Sequence, residues 1–302
     1  MVADCKSVLD LSVGKYNIVF LVADSCRYDS AEKARTPFLC SLSPLRRAEA
    51  PATYTLPSHM SFFIGILPVL VDANPEYLPG IRQIWRSVNA SESGKTAAVL
   101  YEGGNIIDYY SRNGYAVIGA GGVSFFSSAP GNILPRLFPQ FIHFEKPFGL
   151  SKTMNVPRQE AQFPLANIDR IVEKLDRSKP FFLFVNCPET HIPYDSPMVE
   201  VSEGYRVAIR KLYAVDSVKH CSVLDRDGLV EEERKLLMDA QRQSLEWIDL
   251  KAEELCLKVS NGLPTLVIVM GDHGDEFGEG GRYGHAHYHP SVMYVPLWCG
   301  IL

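Results

Sequence analysis

Short apolar runs that stop at polar residues set the strongest constraint on this chain. Asn17-Ile-Val-Phe-Leu-Val-Ala23 is continuous, β-branched and ends on Asp24. It lacks the alternation of a half-exposed strand, so it predicts a strand buried on both faces, as in a parallel sheet covered by helices. The same pattern recurs at residues 96–101, 115–119, 181–185 and 265–270, each separated by enough chain for a crossover helix. Five such strands predict an α/β sandwich. Apolar residues make up 46% of the 302, ample for a buried core, so disorder is excluded as the dominant state.

Between the strands, Leu165, Ile168, Ile171, Val172 and Leu175 recur at helical spacing. Leu237, Ala240, Ser244, Ile248 and Leu255 mark a longer helix over residues 231–259, with the acidic run Glu231-Glu-Glu233 suited to its positive N-terminus. The segment 120–164, rich in Gly, Pro and Phe, has no period and reads as a lid or insertion. No linker divides the chain, so residues 1–302 are expected to form a single domain.

Charge and cysteines narrow the function classes. Thirty Lys+Arg against 35 Asp+Glu give a net charge of −5, the wrong sign for general attraction to a phosphate backbone, so nucleic acid is not an expected partner. Seven cysteines without a CxxC pair suggest neither a disulfide framework nor a cysteine zinc site, and fit a reducing cytoplasmic setting. The longest N-terminal apolar run is far below the ~20 residues of a membrane span, so no membrane anchor is expected. The sequence leaves the oligomeric state open.

Ligands in open parallel sheets gather beyond the carboxyl ends of the strands. Asp24 follows the first run, Asn186 through His191 the fourth, and Gly271-Asp272-His273-Gly274 the last. Asp24, Asp272 and His273 are donors that Zn²⁺, Mn²⁺ or Mg²⁺ would accept. Thr55, within Thr55-Leu-Pro-Ser-His-Met, falls at a helix start where an oxyanion is favoured, and a divalent ion or a base could activate its hydroxyl. Each has a plainer reading: Asp24 and Asp272 as turn formers, Thr55 as a helix N-cap, and Arg27 with Asp29 as a local structural pair.

Four segments, in order, resemble the sulfatase branch of the alkaline phosphatase superfamily. They are Asn17-Ile-Val-Phe-Leu-Val-Ala-Asp-Ser-Cys-Arg27, Ala52-Thr-Tyr-Thr-Leu-Pro-Ser-His-Met-Ser-Phe-Phe-Ile-Gly65, Phe181-Phe-Leu-Phe-Val-Asn-Cys-Pro-Glu-Thr-His-Ile-Pro-Tyr194, and residues 265–279 with Tyr283-Gly-His-Ala-His287 and Val295-Pro-Leu297. The resemblance implies a mostly parallel central sheet with helices on both faces. It also implies a smaller C-terminal subdomain, for which no residues follow Leu302, so enclosure of a substrate would fall to residues 120–164 or to a partner.

By position, the resemblance makes Asp24, Asp272 and His273 metal ligands and Thr55 both ligand and nucleophile. His191 and His285 would contact the anionic group or the leaving oxygen, with His287 nearby. His59 stands where sulfatases carry an Arg that faces the substrate. Those enzymes convert Cys or Ser at the place of Thr55 to formylglycine, which threonine cannot form. Threonine there is similar to the superfamily's phosphoryl-transfer members. The implied activity is therefore a metal-dependent hydrolase or transferase acting on a small anionic phosphate ester or phosphodiester through a phosphothreonine. A sulfuric ester or phosphonate hydrolase, and a degenerate binding protein, are the rival readings. Zn or Mn is the expected ion, with Mg or Ca compatible. A second metal stays open, with Cys187 at the place of an Asp ligand, Glu189 close to it, and His289 as a candidate later ligand.

Overall fold

The computed structural model describes residues 14–65, 104–144, 163–194, 196–216 and 228–302. Its strands are β1 (Asn17–Ala23), β2 (Arg46–Glu49), β3 (Ala116–Gly121), β4 (Phe141–His143), β5 (Phe181–Cys187), β6 (Thr265–Gly271), β7 (Glu276–Phe277), β8 (Tyr283–Gly284) and β9 (Tyr294–Ile301). The helices that bear on the site are α1 (Thr55–Ile64), α2 (Ile106–Arg112), α3 (Ile168–Val172), α4 (Glu231–Val259) and α5 (Pro290–Met293). Among the described residues, seven strands form the main sheet in the order β2-β9-β6-β1-β5-β3-β4, and β7 pairs with β8 outside it. β4, β3, β5, β1 and β6 run parallel, β9 pairs antiparallel with β6, and β2 pairs antiparallel with β9.

The two-sided burial of β1 explains why its sequence does not alternate. Val19, Leu21 and Ala23 pack on one side against Leu245, Ile248, Ala252 and Leu255 of α4 and Ile168 and Ile171 of α3. Ile18, Phe20 and Val22 pack on the other side with Met60 and Phe63 of α1 and Ile107 of α2. Fully burying such a side chain contributes about 1.5–3 kcal/mol, so β1 belongs at the centre, where neither face meets water. β5 is likewise buried throughout. Both strands therefore deliver their following residues to the same carboxyl-end edge.

The long helix runs over the expected residues, and the Glu233 carboxylate accepts the Val230 N–H at 3.0 Å. The helical spacing from Leu165 resolves into a 3₁₀ turn, Pro164–Asn167, followed by α3. Part of the 120–164 segment is sheet rather than lid: Phe141–His143 pairs with β3 at the edge. Residues 145–162 of that segment and the strand expected at 96–101 lie outside the described residues. No helix among the described residues is long and apolar enough to cross a membrane. Cys26, Cys40, Cys187, Cys256 and Cys299 are free thiols.

Candidate active site

Three strand ends and one helix start converge. Asp24 follows β1, Asp272 and His273 follow β6, and parallel pairing of the two strands brings Ala23 opposite Gly271. Asp24, Asp272 and His273 are fully buried, and their donor atoms lie within 4.8 Å of one another. His273 Nε2 stands 3.9 Å from Asp24 Oδ1 and 3.4 Å from Asp272 Oδ2. The glycine after the pair is required by packing, because a Cβ on Gly274 would collide with the Ser291 backbone oxygen, and its N–H donates to the Val292 carbonyl at 2.7 Å.

Thr55 is the first helical residue of α1, and Tyr54 before it holds the N-cap position. The plain reading of Thr55 as the cap therefore does not apply. Its hydroxyl lies instead 3.3 Å from His273 Nε2, and the residue is 2% exposed. Sequence positions 24, 55, 272 and 273 thus meet in one place.

The backbone around the two carboxylates is built for them. Ser25 adopts a left-handed conformation, φ 60°, unusual for a non-glycine residue, and its N–H donates to Asp272 Oδ1 at 3.0 Å. The His273 N–H donates to the same oxygen at 3.0 Å. Gln241 of α4 fastens this corner: its amide nitrogen donates to the carbonyls of Ser25 (2.8 Å) and Thr190 (3.2 Å), and its Oε1 accepts the Arg27 N–H. The Thr190 hydroxyl donates to the Asp24 carbonyl at 2.8 Å. Arg27 forms the expected pair with Asp29 at 2.7 Å and also reaches Glu279 at 2.6 Å.

The donor set fits a divalent cation. Asp272 Oδ2 is buried with no hydrogen-bond partner, an arrangement that is costly unless something positive is held there. Burial and the neighbouring Asp24 charge push the Asp272 carboxyl well above the usual range. Burial opposes ionisation of Asp24 too, but the imidazoles of His191, His273 and His59 and the Asn186 amide keep it below the usual range. Burial, followed by the nearby His285, holds His273 down at about 3, so its ring is neutral. With Nδ1–H donating to the Gly274 carbonyl at 3.0 Å, the Nε2 lone pair faces the carboxylates, as in metal-ligating histidines.

Two further imidazoles border this cluster. His285 Nδ1 donates to Asp275 Oδ1 at 2.7 Å, and the Tyr194 hydroxyl donates to Asp275 Oδ2 at 3.3 Å. The ring of His285 lies 4.5 Å from that of His273 and 5.9 Å from that of His191. His191 Nδ1 donates to the Ile192 carbonyl at 2.7 Å. His273, Asp275 and His285 also form a group whose donor atoms lie within 4.8 Å of one another.

His287 and His59 are placed differently. Ala286 between His285 and His287 is left-handed, φ 70°, and donates its N–H to the Thr53 carbonyl. This sends His287 to Glu276 at 2.7 Å and away from the contacts of His285. His59 is fully buried beneath Thr55, with Nδ1–H donating to the Thr55 carbonyl at 2.8 Å and its ring among Phe62, Phe63, Phe126 and Phe184. His289 caps α5 by accepting the Ser291 N–H. The Cys187 thiol is buried, which pushes its pKa well above normal, against a thiolate ligand.

Gln241, Asp275 and Tyr194 are the contributors that sequence reasoning did not single out. Gln241 carried a usable signal, a polar residue beside the apolar stripe of the long helix; the other two become meaningful only once chain segments meet.

Burial holds His59 at about 4 against 6.5 for a free imidazole. The unfolded chain therefore binds the extra proton first. Its contribution is present above pH 6.5 and is lost as pH falls toward 4, amounting to roughly 3 kcal/mol. The raised Asp272 carboxyl pulls the other way over the same range, so the test is differential: between pH 7 and pH 4 the denaturant midpoint of the chelator-treated parent should fall relative to that of His59→Gln, and parallel profiles would contradict this placement of His59.

The sulfatase family model matches residues 17–294. No curated protein matches the sequence. Among solved structures, the C-terminal periplasmic domain of phosphoethanolamine transferase EptC from Campylobacter jejuni is similar at a TM-score of 0.55 and 14% identity, over 95% of this chain and 80% of that chain. The lipoteichoic acid synthase LtaP from Listeria monocytogenes gives 0.55 and 12%, over 95% and 66%. The periplasmic domain of EptC from Escherichia coli, in complex with Zn, gives 0.53 and 13%, over 96% and 74%. These likenesses are of fold.

Proposed function

We propose that this chain, which belongs to the sulfatase family of the alkaline phosphatase superfamily, is a divalent-cation-dependent enzyme that transfers or hydrolyses phosphate esters or diesters through Thr55. The observation that carries the reading is the Thr55 hydroxyl, turned 3.3 Å from His273 Nε2 and into a pair of buried carboxylates instead of capping its own helix. Three similar folds that act as phosphoethanolamine transferases or a lipoteichoic acid synthase support phosphoester over sulfate-ester chemistry. The solution of one of them with Zn supports a transition-metal ion.

Asp24, Asp272, His273 and Thr55 would hold the ion. When bound, it supplies positive charge that lowers the pKa of a neighbouring hydroxyl and balances the phosphoryl oxygens. Thr55 Oγ1, its proton given up to solvent, attacks phosphorus, and the bond from phosphorus to the leaving oxygen breaks in line with the attack. The start of α1 adds its positive dipole end to the same place. Asp275 accepts from His285 Nδ1 and so orients this ring beside His273, which makes His285 the donor of a proton to the leaving oxygen. His191, in the turn after β5 with its ring 5.9 Å from that of His285, binds the anion. Water or an acceptor alcohol then takes the phosphoryl group from Thr55.

His285→Asn tests the assignment of the proton donor. Turnover of esters with alkyl leaving groups should fall by about 10²–10⁴-fold, whereas nitrophenyl esters, whose leaving group needs no proton, should lose far less. Equal losses on both substrates would remove His285 from that role. A panel of phosphate monoester, phosphodiester, phosphonate and aryl sulfate should give turnover on phosphorus esters. Turnover of the sulfate alone would overturn the phosphoester reading.

A further inference from the structure

Resting on the reading of the Asp24 cluster as a cation site, we infer that Asn186, backed by His59, selects which divalent ions the cluster accepts by making Asp24 a one-oxygen ligand. Asn186 follows Val185 at the carboxyl end of β5 and is fully buried. Its Nδ2 donates to Asp24 Oδ2 at 2.7 Å and lies 3.5 Å from His59 Nε2. His59 has already committed Nδ1–H to the Thr55 carbonyl, so Nε2 is the acceptor that Asn186 meets. The amide group thus uses both hydrogens, one on each neighbour. Its Oδ1, by contrast, is buried without a partner. Leaving an amide oxygen unpaired is costly, so this side chain is held in place by what its NH₂ does.

The effect on Asp24 is to divide its two oxygens. Oδ2 is occupied by a short amide hydrogen bond. Oδ1 faces His273 Nε2 and has only the Ser25 hydroxyl, at 3.3 Å. Asp272 is divided in the same way: two backbone N–H groups take Oδ1, and Oδ2 is left bare. Each carboxylate therefore offers one oxygen, which with His273 Nε2 and Thr55 Oγ1 makes a small mixed oxygen and nitrogen donor set. Zn²⁺ is satisfied by about four such donors, whereas Ca²⁺ seeks about 6–8 oxygens and commonly takes carboxylates through both. Removing the Asn186 amide frees the second oxygen of Asp24 and erodes that preference.

The experiment compares affinities of the chelator-stripped full chain for Zn²⁺, Mn²⁺ and Ca²⁺ by competition with a chromogenic chelator. Asn186→Ala should weaken Zn²⁺ about 10–100-fold, the usual cost of losing such a supporting hydrogen bond, while Ca²⁺ affinity holds or rises. The Zn²⁺:Ca²⁺ ratio should then narrow by about tenfold or more. The near-isosteric Asn186→Asp, which removes the donor and adds a hard oxygen, should move the ratio further in the same direction and serves if the alanine variant does not fold. His59→Gln should produce a smaller shift of the same sign. A uniform loss across the three ions, as simple structural damage would give, or an unchanged ratio overturns the role of Asn186 and leaves the cation reading intact. Failure of the unaltered chain to bind any of the three overturns both.

Discussion

Replacing Thr55 by alanine is expected to lower phosphoester turnover by about a thousandfold or more while leaving divalent-ion affinity within about tenfold of its original value. On the proposed reading the two effects separate because the hydroxyl is one of four donors, whereas it alone supplies the attacking oxygen. Asp24, Asp272 and His273 keep their mutual geometry without it, since their supports come from Ser25, Asn186 and the His273 backbone. Initial rates on a phosphodiester, set beside equilibrium dialysis with Mn²⁺ or Zn²⁺, measure both quantities. Undiminished turnover in the variant would reject Thr55 as nucleophile. Thr55→Ser, which keeps the hydroxyl, should retain much of the activity.

Asp272→Asn should pull stability and activity in opposite directions. The folded chain without a cation holds two carboxylates together in a dry place, and Asp272 carries the larger penalty, with its carboxyl pushed up by burial and by Asp24. A carboxyl raised in the folded state destabilises that state at neutral pH, where the unfolded chain keeps the group ionised. Asparagine removes the charge and can still accept the N–H groups of Ser25 and His273. Chelator-treated variant protein should be more stable than the parent by about 1–4 kcal/mol, read as a higher melting temperature. Added Zn²⁺ or Mn²⁺ should stabilise the parent strongly and the variant hardly at all, with affinity reduced by at least about a hundredfold. If the variant is less stable than the chelated parent, the unpaired oxygen of Asp272 is not the cost assigned to it here.

The parts of this molecule that were legible in its sequence are those governed by local pattern. Unbroken apolar runs marked β1 and β5, which are buried throughout, and β6, which is buried except for the half-buried Ile268 and Met270, and a regular stripe marked α4 from end to end. The principle that ligands gather at strand ends then pointed to Asp24 and to the Asp272-His273 pair before any contact was known. What pattern could not convey was pairing between distant segments. β2 is only four residues long, with alternating burial, and owes its existence to β9; β4 is three residues inside a stretch with no period. The partners of individual polar groups were hidden for the same reason. Nothing local says that His287 turns to Glu276 while His285, two residues earlier, turns to Asp275. The left-handed backbone of Ala286 that separates them is not foreshadowed by an alanine.

Gln241 stands on the long helix that covers one face of the sheet, yet its carboxamide clasps the turns after β1 and β5 at once. That corner of the pocket cannot ripen ahead of the tertiary structure, because one of its fasteners arrives only when the helix docks. On the cation-site reading, capture of an ion and completion of the fold are thereby parts of one cooperative event, and a half-assembled chain has no finished trap in which to hold a stray metal.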